Sequence, residues 1–429
     1  MAIVQDATSR RRHRRSIIAV SAGNVLEWYD FAVYASVASI LGSLFFPSSN
    51  SLTSLLASFS TFAVGYVARP VGAAVFGRLA DRSGRKITLI LMIAMMGVAT
   101  VLIGFMPTYA SVGIAAPILL VVARFVQGLS VGGEFSTATS YFVEVAPPGK
   151  RGLYGSLTYL TANLGFALGL ALVYTLTNIL PAGAMADWGW RVPFLLSFPL
   201  LLVGMYLRSK ASETPAFVVA RKEGTVDDSS MAAMVRAQWR GMVRLLGIGL
   251  VFSISSYIAL AFVLSYLLVV QAQPPAEVYP AVLTALVLGA MGVPVAGHWS
   301  DRWGRRPLLI TGCVLVIALA FPAFALMSSG GFVNVLLGQL LLWIPISIFS
   351  GVIPSAFSEL FPTQVRSTAV GLPYAIATAV FSGTTPLVAT ALIGATGFSV
   401  APAAYLVLAA LISVVFVWTM RESSRDALR

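Results

Sequence analysis

The chain is poor in charge. Asp, Glu, Lys and Arg make up only 10% of its 429 residues, whereas soluble domains carry about one quarter. It has a single cysteine, Cys313, set in an apolar run, so an internal disulfide is excluded and the residue reads as a small core side chain. Its two histidines, His13 and His298, lack metal-ligand spacing. No GxxxxGK[ST] phosphate loop occurs, which argues against ATP as a power source. No hydrolase triad is discernible. Catalytic residues, a metal and an organic cofactor are therefore not expected, and the chain does not read as an enzyme.

What it has instead is apolar length: 58% of its residues are hydrophobic. Twelve runs fit membrane helices, at about 17–44, 52–76, 87–106, 113–138, 153–180, 192–207, 242–270, 279–297, 307–327, 331–355, 368–393 and 400–420. Only helices close their own backbone hydrogen bonds in hydrocarbon, so the expected fold is an all-α membrane bundle. The first run is too long, and too acidic in its middle, for a cleaved signal peptide.

The net charge of +12 raises the question of nucleic acid. Placement answers it: 25 of the 28 basic residues fall on one side of a twelve-span arrangement. The exceptions are Arg69, Arg124 and Arg191, and opposite loops such as "FFPSSNS" and "MSSGG" carry no Lys or Arg. This positive-inside bias predicts a multi-pass protein of the cytoplasmic (inner) membrane with both termini in the cytoplasm. Lipid, not nucleic acid, is the expected partner.

The chain also repeats. "GRLADRSGRKITLI" (77–90) and "GHWSDRWGRRPLLI" (297–310) share 7 of 14 positions. Glu144, Pro147 and Arg151 recur as Glu359, Pro362 and Arg366. Two six-helix halves follow, at 17–207 and 242–420. A basic N-terminal arm (1–16), a polar linker (208–241) and a short tail (421–429) complete the expected layout. Parallel six-span repeats around a midplane site are a transporter plan.

The loop G-x-x-x-D-R-x-G-R-[KR], present twice, resembles the signature of the major facilitator superfamily. "GNVLEWYDFAVY", "ARPVGAAVFGRLADRSGRK", "RFVQGLSVGGEFSTATSYFVEVAPPGKRG" and "DWGWRVPFLLSFP" narrow the resemblance to the metabolite:H⁺ symporter family. That resemblance covers nearly the whole chain. It implies the twelve-helix facilitator fold and proton-coupled uptake of a small polar metabolite, the proton being the coupling ion. It also implies a cytoplasmic charge network that holds the outward-open state: Asp81, Arg82, Arg85, Asp301, Arg302 and Arg305, partnered by Glu144, Arg151, Glu359 and Arg366. The alternative is that these cations only set topology.

Five charges lie well inside spans: Glu27, Asp30, Arg69, Arg124 and Glu134. Each costs at least about 2.5–3.5 kcal/mol at a helix centre, so such residues face a cavity or a partner. Glu27 and Asp30 share a helix face near mid-depth, and a buried acid that cycles its proton suits coupling. Either could instead neutralise Arg69 or Arg124. Glu134 reads as a proton relay or as part of the gate. Arg124, with Gln127 one turn on, is the expected carboxylate anchor, because a guanidinium holds a carboxylate by two parallel bonds; an ion pair with Glu27, Asp30 or Glu134 is the alternative. Arg69 could snorkel, pair with an acid or touch substrate. Tyr257, Tyr266 and Tyr374 are further candidate contacts, packing being the commoner role of such residues. "GFALG" at 165–169 reads as a close-packing motif.

The favoured reading is a secondary active importer, expected to be a monomer, of a small organic acid by proton symport. Its alternatives are a proton-coupled importer of a zwitterion such as proline or betaine, and a non-transporting membrane sensor. Span five lacks a proline, which weighs against drug export. The stretch "PSAFSE" before "ELFP" lacks the lysine that the resemblance associates with α-ketoglutarate carriers, which points away from a dicarboxylate.

Overall fold

The structure is a computed structural model, describing residues 21, 24, 25, 27–83, 85–131, 134–210, 231–362, 366–424 and 426. Among these, nine helices are long and apolar enough to cross a bilayer, a bent pair makes a tenth, and two shorter apolar helices complete twelve spans. They are α1 (Glu27–Ser36 continued by Ala38–Phe45), α2 (Ser51–Ser83), α3 (Arg85–Phe105), α4 (Ala115–Ser130), α5 (Arg151–Ile179) and α6 (Met185–Tyr206). The second half comprises α7 (Met234–Val270), α8 (Pro275–Trp303), α9 (Arg305–Ser328), α10 (Phe332–Glu359), α11 (Thr368–Thr396) and α12 (Ala401–Trp418). A further helix, Glu134–Glu144, follows α4 in the chain.

The bundle turns apolar side chains outward: Val67, Phe105, Ile179, Val415 and Trp418 are exposed, while Asp30, Arg69 and Arg124 are buried. That is the surface a helix bundle needs against lipid. Cys313 is buried, as its sequence setting implies.

Each helix overlaps one of the twelve hydropathy runs, and two begin well ahead of theirs. Residues from Met231 of the expected 208–241 linker are already helical and run on into α7. "MAAMVRAQWRGMVRLLG" is built from good helix formers, so its charges interrupt the hydropathy without interrupting the helix. Span six begins at Met185, ahead of the expected 192, on a π-turn over Met185–Gly189 whose Asp187 masks the apolar run. The expected basic arm (1–16), residues 211–230 of the linker and the last residues of the tail lie outside the described residues.

Glycines set the helix spacing that positions the interior. Gly128 of α4 packs on the carbonyl of Gly65 in α2, and Gly72 of α2 packs on the backbone of Leu129. With no Cβ between them, α2 and α4 cross closely enough to place Arg124 against the aromatic side chains of α1 and α2. The halves meet where α5 packs on α8 and α2 packs on α11.

Candidate functional site

Three polar layers lie along the bundle. The first is inside the N-terminal half. Arg124 lies over the Tyr34 ring at 3.5 Å from its centroid and within 5.3 Å of Phe62. Its Nη1 donates to Gln127 Oε1 at 2.9 Å. Gln127 Nε2 donates to Thr100 Oγ1 at 2.6 Å, and Thr100 Oγ1 donates to Asp30 Oδ2 at 2.9 Å. Asp30 and Arg124 are thus joined through two neutral side chains, and no ion pair joins them directly among the described residues. Two guanidinium nitrogens of Arg124, Nε and Nη2, have no hydrogen-bond partner among the described residues. The aromatic faces offset part of its burial cost, because a desolvated cation over a ring is worth about 2 kcal/mol.

Arg69 occupies a parallel position on α2. Its guanidinium lies 3.9 Å from the Tyr66 ring centroid and 4.7 Å from that of Phe31. It is 5% exposed and does not snorkel, which corrects that sequence-level option. The physical reason is Tyr66 and Phe31, which provide a closer cation site than the bilayer surface. Glu27 and Asp30 stay within electrostatic range of one another, but Asp30 also bonds Thr100 of α3, whereas Glu27 lies in the electrostatic range of Arg69, Tyr66 and Tyr374.

The second layer is a narrow, partly open cavity between the halves. Trp28, Tyr159, Phe252, Tyr257 and Tyr374 supply aromatic walls, and Ser253, Ser256, Ser350, Thr378, Ser382 and Asn163 supply polar groups. Among the described residues, no charged side chain lines it. Two π-turns border it, at Ile258–Phe262 and Thr378–Ser382. Such turns free backbone geometry that a regular helix would lock, and they concentrate at functional sites. Tyr257 reaches from this wall to Tyr66, their hydroxyls 2.7 Å apart, so the cavity is one residue removed from Arg69. Of the tyrosines singled out from sequence, Tyr257 and Tyr374 line the cavity. Tyr266 does not; its hydroxyl pairs with Ser328 and Gln271.

The third layer closes the basic end. Asp301 accepts the backbone N–H groups of Gly152 and Leu153, at 2.7 and 3.0 Å, across the junction of the halves. Arg305 pairs with Asp301 at 2.9 Å and Glu359 at 3.1 Å. Arg151 reaches Glu359 at 3.6 Å, and Arg366 reaches Glu144 at 3.1 Å. Six of the ten expected network residues therefore meet. Arg302 is exposed and joins no ion pair among the described residues. The side chains of Asp81, Arg82, Arg85 and Glu134 lie outside the described residues.

Two participants escaped the sequence. Thr100 is one hydroxyl in an apolar helix, and such residues commonly bond only their own backbone. Glu422, in the tail, accepts N–H groups of Arg305 and Arg306 at 2.9 and 3.0 Å and so caps the start of α9. Beside it, Ser423 donates to Glu359 at 2.6 Å. Its only sequence signal is an acid among tail arginines.

The chain matches a family model described as "Sugar (and other) transporter" over residues 16–240 and 251–425. It is 35% identical to the proline/betaine transporter of Escherichia coli K12, covering 97% of this chain and 85% of that one. It is 30% identical to the citrate-proton symporter of Klebsiella pneumoniae, over 96% and 93% of the two chains. The crystal structure of a D-xylose-proton symporter superposes with a TM-score of 0.75 at 20% identity, over 97% and 99% of the chains.

Proposed function

The chain belongs to the sugar (and other) transporter family of the major facilitator superfamily, and on that premise we propose that it imports a small carboxylate-bearing metabolite by proton symport. Import proceeds by alternating access of the two halves, in the cytoplasmic membrane with both termini inside. The observation that carries the reading is Asp30, a buried acid connected to Arg124 through neutral groups. An acid so placed is not neutralised by a fixed ion pair, so its charge can change during the cycle. Glu27, between Arg69 and Tyr374, is the second acid able to answer to the cavity's contents.

The cavity wall favours a zwitterion. Five aromatic rings and no cation suit an ammonium group bound through ring faces, with hydroxyls left for its carboxylate. The proline/betaine relative agrees with this choice. An anionic organic acid is the second reading, supported by the unpartnered nitrogens of Arg69 and Arg124 and by the citrate relative.

Uptake into proteoliposomes under an imposed inward pH gradient tests both. Labelled betaine, proline, citrate, α-ketoglutarate and shikimate are compared in wild type, Asp30→Asn and Arg124→Gln. Concentrative uptake of betaine or proline is expected. Asp30→Asn should abolish accumulation and leave substrate exchange intact, while Arg124→Gln should cut uptake about tenfold or more. Accumulation of citrate alone selects the second reading. Gradient-driven accumulation by Asp30→Asn removes Asp30 from the coupling role.

A further inference from the structure

Thr100 has more hydrogen-bonding options than a helical threonine needs. Its one hydroxyl proton faces two acceptors, Asp30 Oδ2 at 2.9 Å and the Met96 carbonyl at 2.9 Å. Its oxygen also accepts from Gln127 Nε2 at 2.6 Å. The Gln127 amide has a fixed sense, because Arg124, which can only donate, holds its oxygen. A hydroxyl carries one donor and two acceptor sites.

That arithmetic distinguishes two complete arrangements. With Asp30 ionised, Thr100 donates to its carboxylate and accepts from Gln127. With Asp30 protonated, the carboxylic acid donates to Thr100 Oγ1, the threonine proton turns to the Met96 carbonyl, and Gln127 continues to donate. No member of the chain loses its partner in either form. Only the Thr100 hydroxyl rotates, and the proton that Asp30 gains or loses is the only one exchanged. Thr100 is buried, so no water is needed to repair a broken bond.

We propose that Thr100 is the positioning residue that lets Asp30 hold or release its proton without leaving either form unpaired. This rests on the reading of Asp30 as the coupling acid. The charged and titratable groups around Asp30 are Arg124 from α4 and, on α1 itself, Glu27 and Tyr29. Glu27 and Arg124 are untouched in sequence by a change at Thr100, so substitution there removes the hydroxyl and no charge.

The test reads Asp30 directly and needs no substrate. The carboxylic-acid carbonyl stretch of Asp30 is assigned by infrared difference between wild type and Asp30→Asn in reconstituted protein, and is followed against pH. Thr100→Val keeps the shape and removes the hydroxyl. It should displace the Asp30 midpoint toward higher pH by about one unit, a tenfold change, because the ionised form loses a charge-assisted bond. Thr100→Ser should restore the wild-type midpoint. Thr100→Ala repeats the measurement if the valine variant does not reach the membrane folded. A wild-type midpoint in Thr100→Val or Thr100→Ala overturns the proposal, and so does an equal displacement in Thr100→Ser. Accumulation by Asp30→Asn overturns the coupling role instead, an outcome read from transport and separate from the infrared titration.

Discussion

At the scale of single residues, the interior shows how a membrane protein keeps cations without neutralising each one. Arg69 and Arg124 rest on Tyr66, Phe31, Tyr34 and Phe62. The five intramembrane charges were legible in the sequence, because charge in an apolar run is conspicuous. Their partners were not, since Tyr34, Phe62 and Thr100 are ordinary span residues until helix packing selects them. Glu422 gives a prediction at this scale. Its partial burial opposes ionisation, but the N–H groups of Arg305, Ser424 and Arg306 outweigh that and hold its carboxyl below the usual glutamate range. A depressed acid stabilises the fold above its unfolded value, near pH 4.3, and loses that contribution as pH falls through the lower folded value. Glu422→Gln should therefore melt below wild type at neutral pH, the two curves converging as the solution is taken below about pH 4. Thermal unfolding of both proteins across pH checks it, and a neutral-pH Tm equal to wild type would show that the cap contributes nothing.

At the scale of elements, apolar length gave away the twelve helices, because that signal is encoded in every span. The bends and π-turns were hidden: Val37, Leu260 and Thr378 sit in stretches that hydropathy alone reads as continuous helix. Close crossings depend on glycines whose partners are remote in sequence. Gly297 of α8 faces the Gly152 carbonyl, 2.6 Å from where a Cβ would stand, and Ser156 Cβ at 2.9 Å. The first obstacle is backbone, so relief requires α5 and α8 to separate. Gly297→Ala should cost about 1–3 kcal/mol and lower the melting temperature by a few degrees. Gly394→Ala is the control, since its Cβ would meet only the Leu52 side chain at 3.3 Å. Equal melting temperatures for the two variants would refute a tight crossing.

At the scale of the whole molecule, the halves are fastened at the basic end by groups of opposite charge and, deeper in, by the Tyr66–Tyr257 pair. The family resemblance carried by the repeated loops implied a charge network here from sequence. What the repeat could not reveal is its division of labour: Asp301 takes backbone N–H groups of Gly152 and Leu153 as well as Arg305. It therefore ties the start of α5 to the end of α8, and on the proposed transport reading this contact favours the state closed at the basic end. Asp301→Asn keeps the shape and removes the charge. Hydrogen bonds to a charged group contribute about 1.5–3 kcal/mol each, so losing their charge should shift the ratio of closed to open basic ends by at least about tenfold. Ser156 lies buried beside this crossing, and Cys313, also buried, can be replaced by serine to leave a cysteine-free background. A cysteine placed at Ser156 should react slowly with a membrane-impermeant maleimide in the parent and about tenfold faster with Asp301→Asn, because opening at the basic end admits the reagent. Unchanged reactivity in the Asp301→Asn carrier would mean that this carboxylate does not hold the basic end closed and that the barrier between the halves lies at Tyr66 and Tyr257.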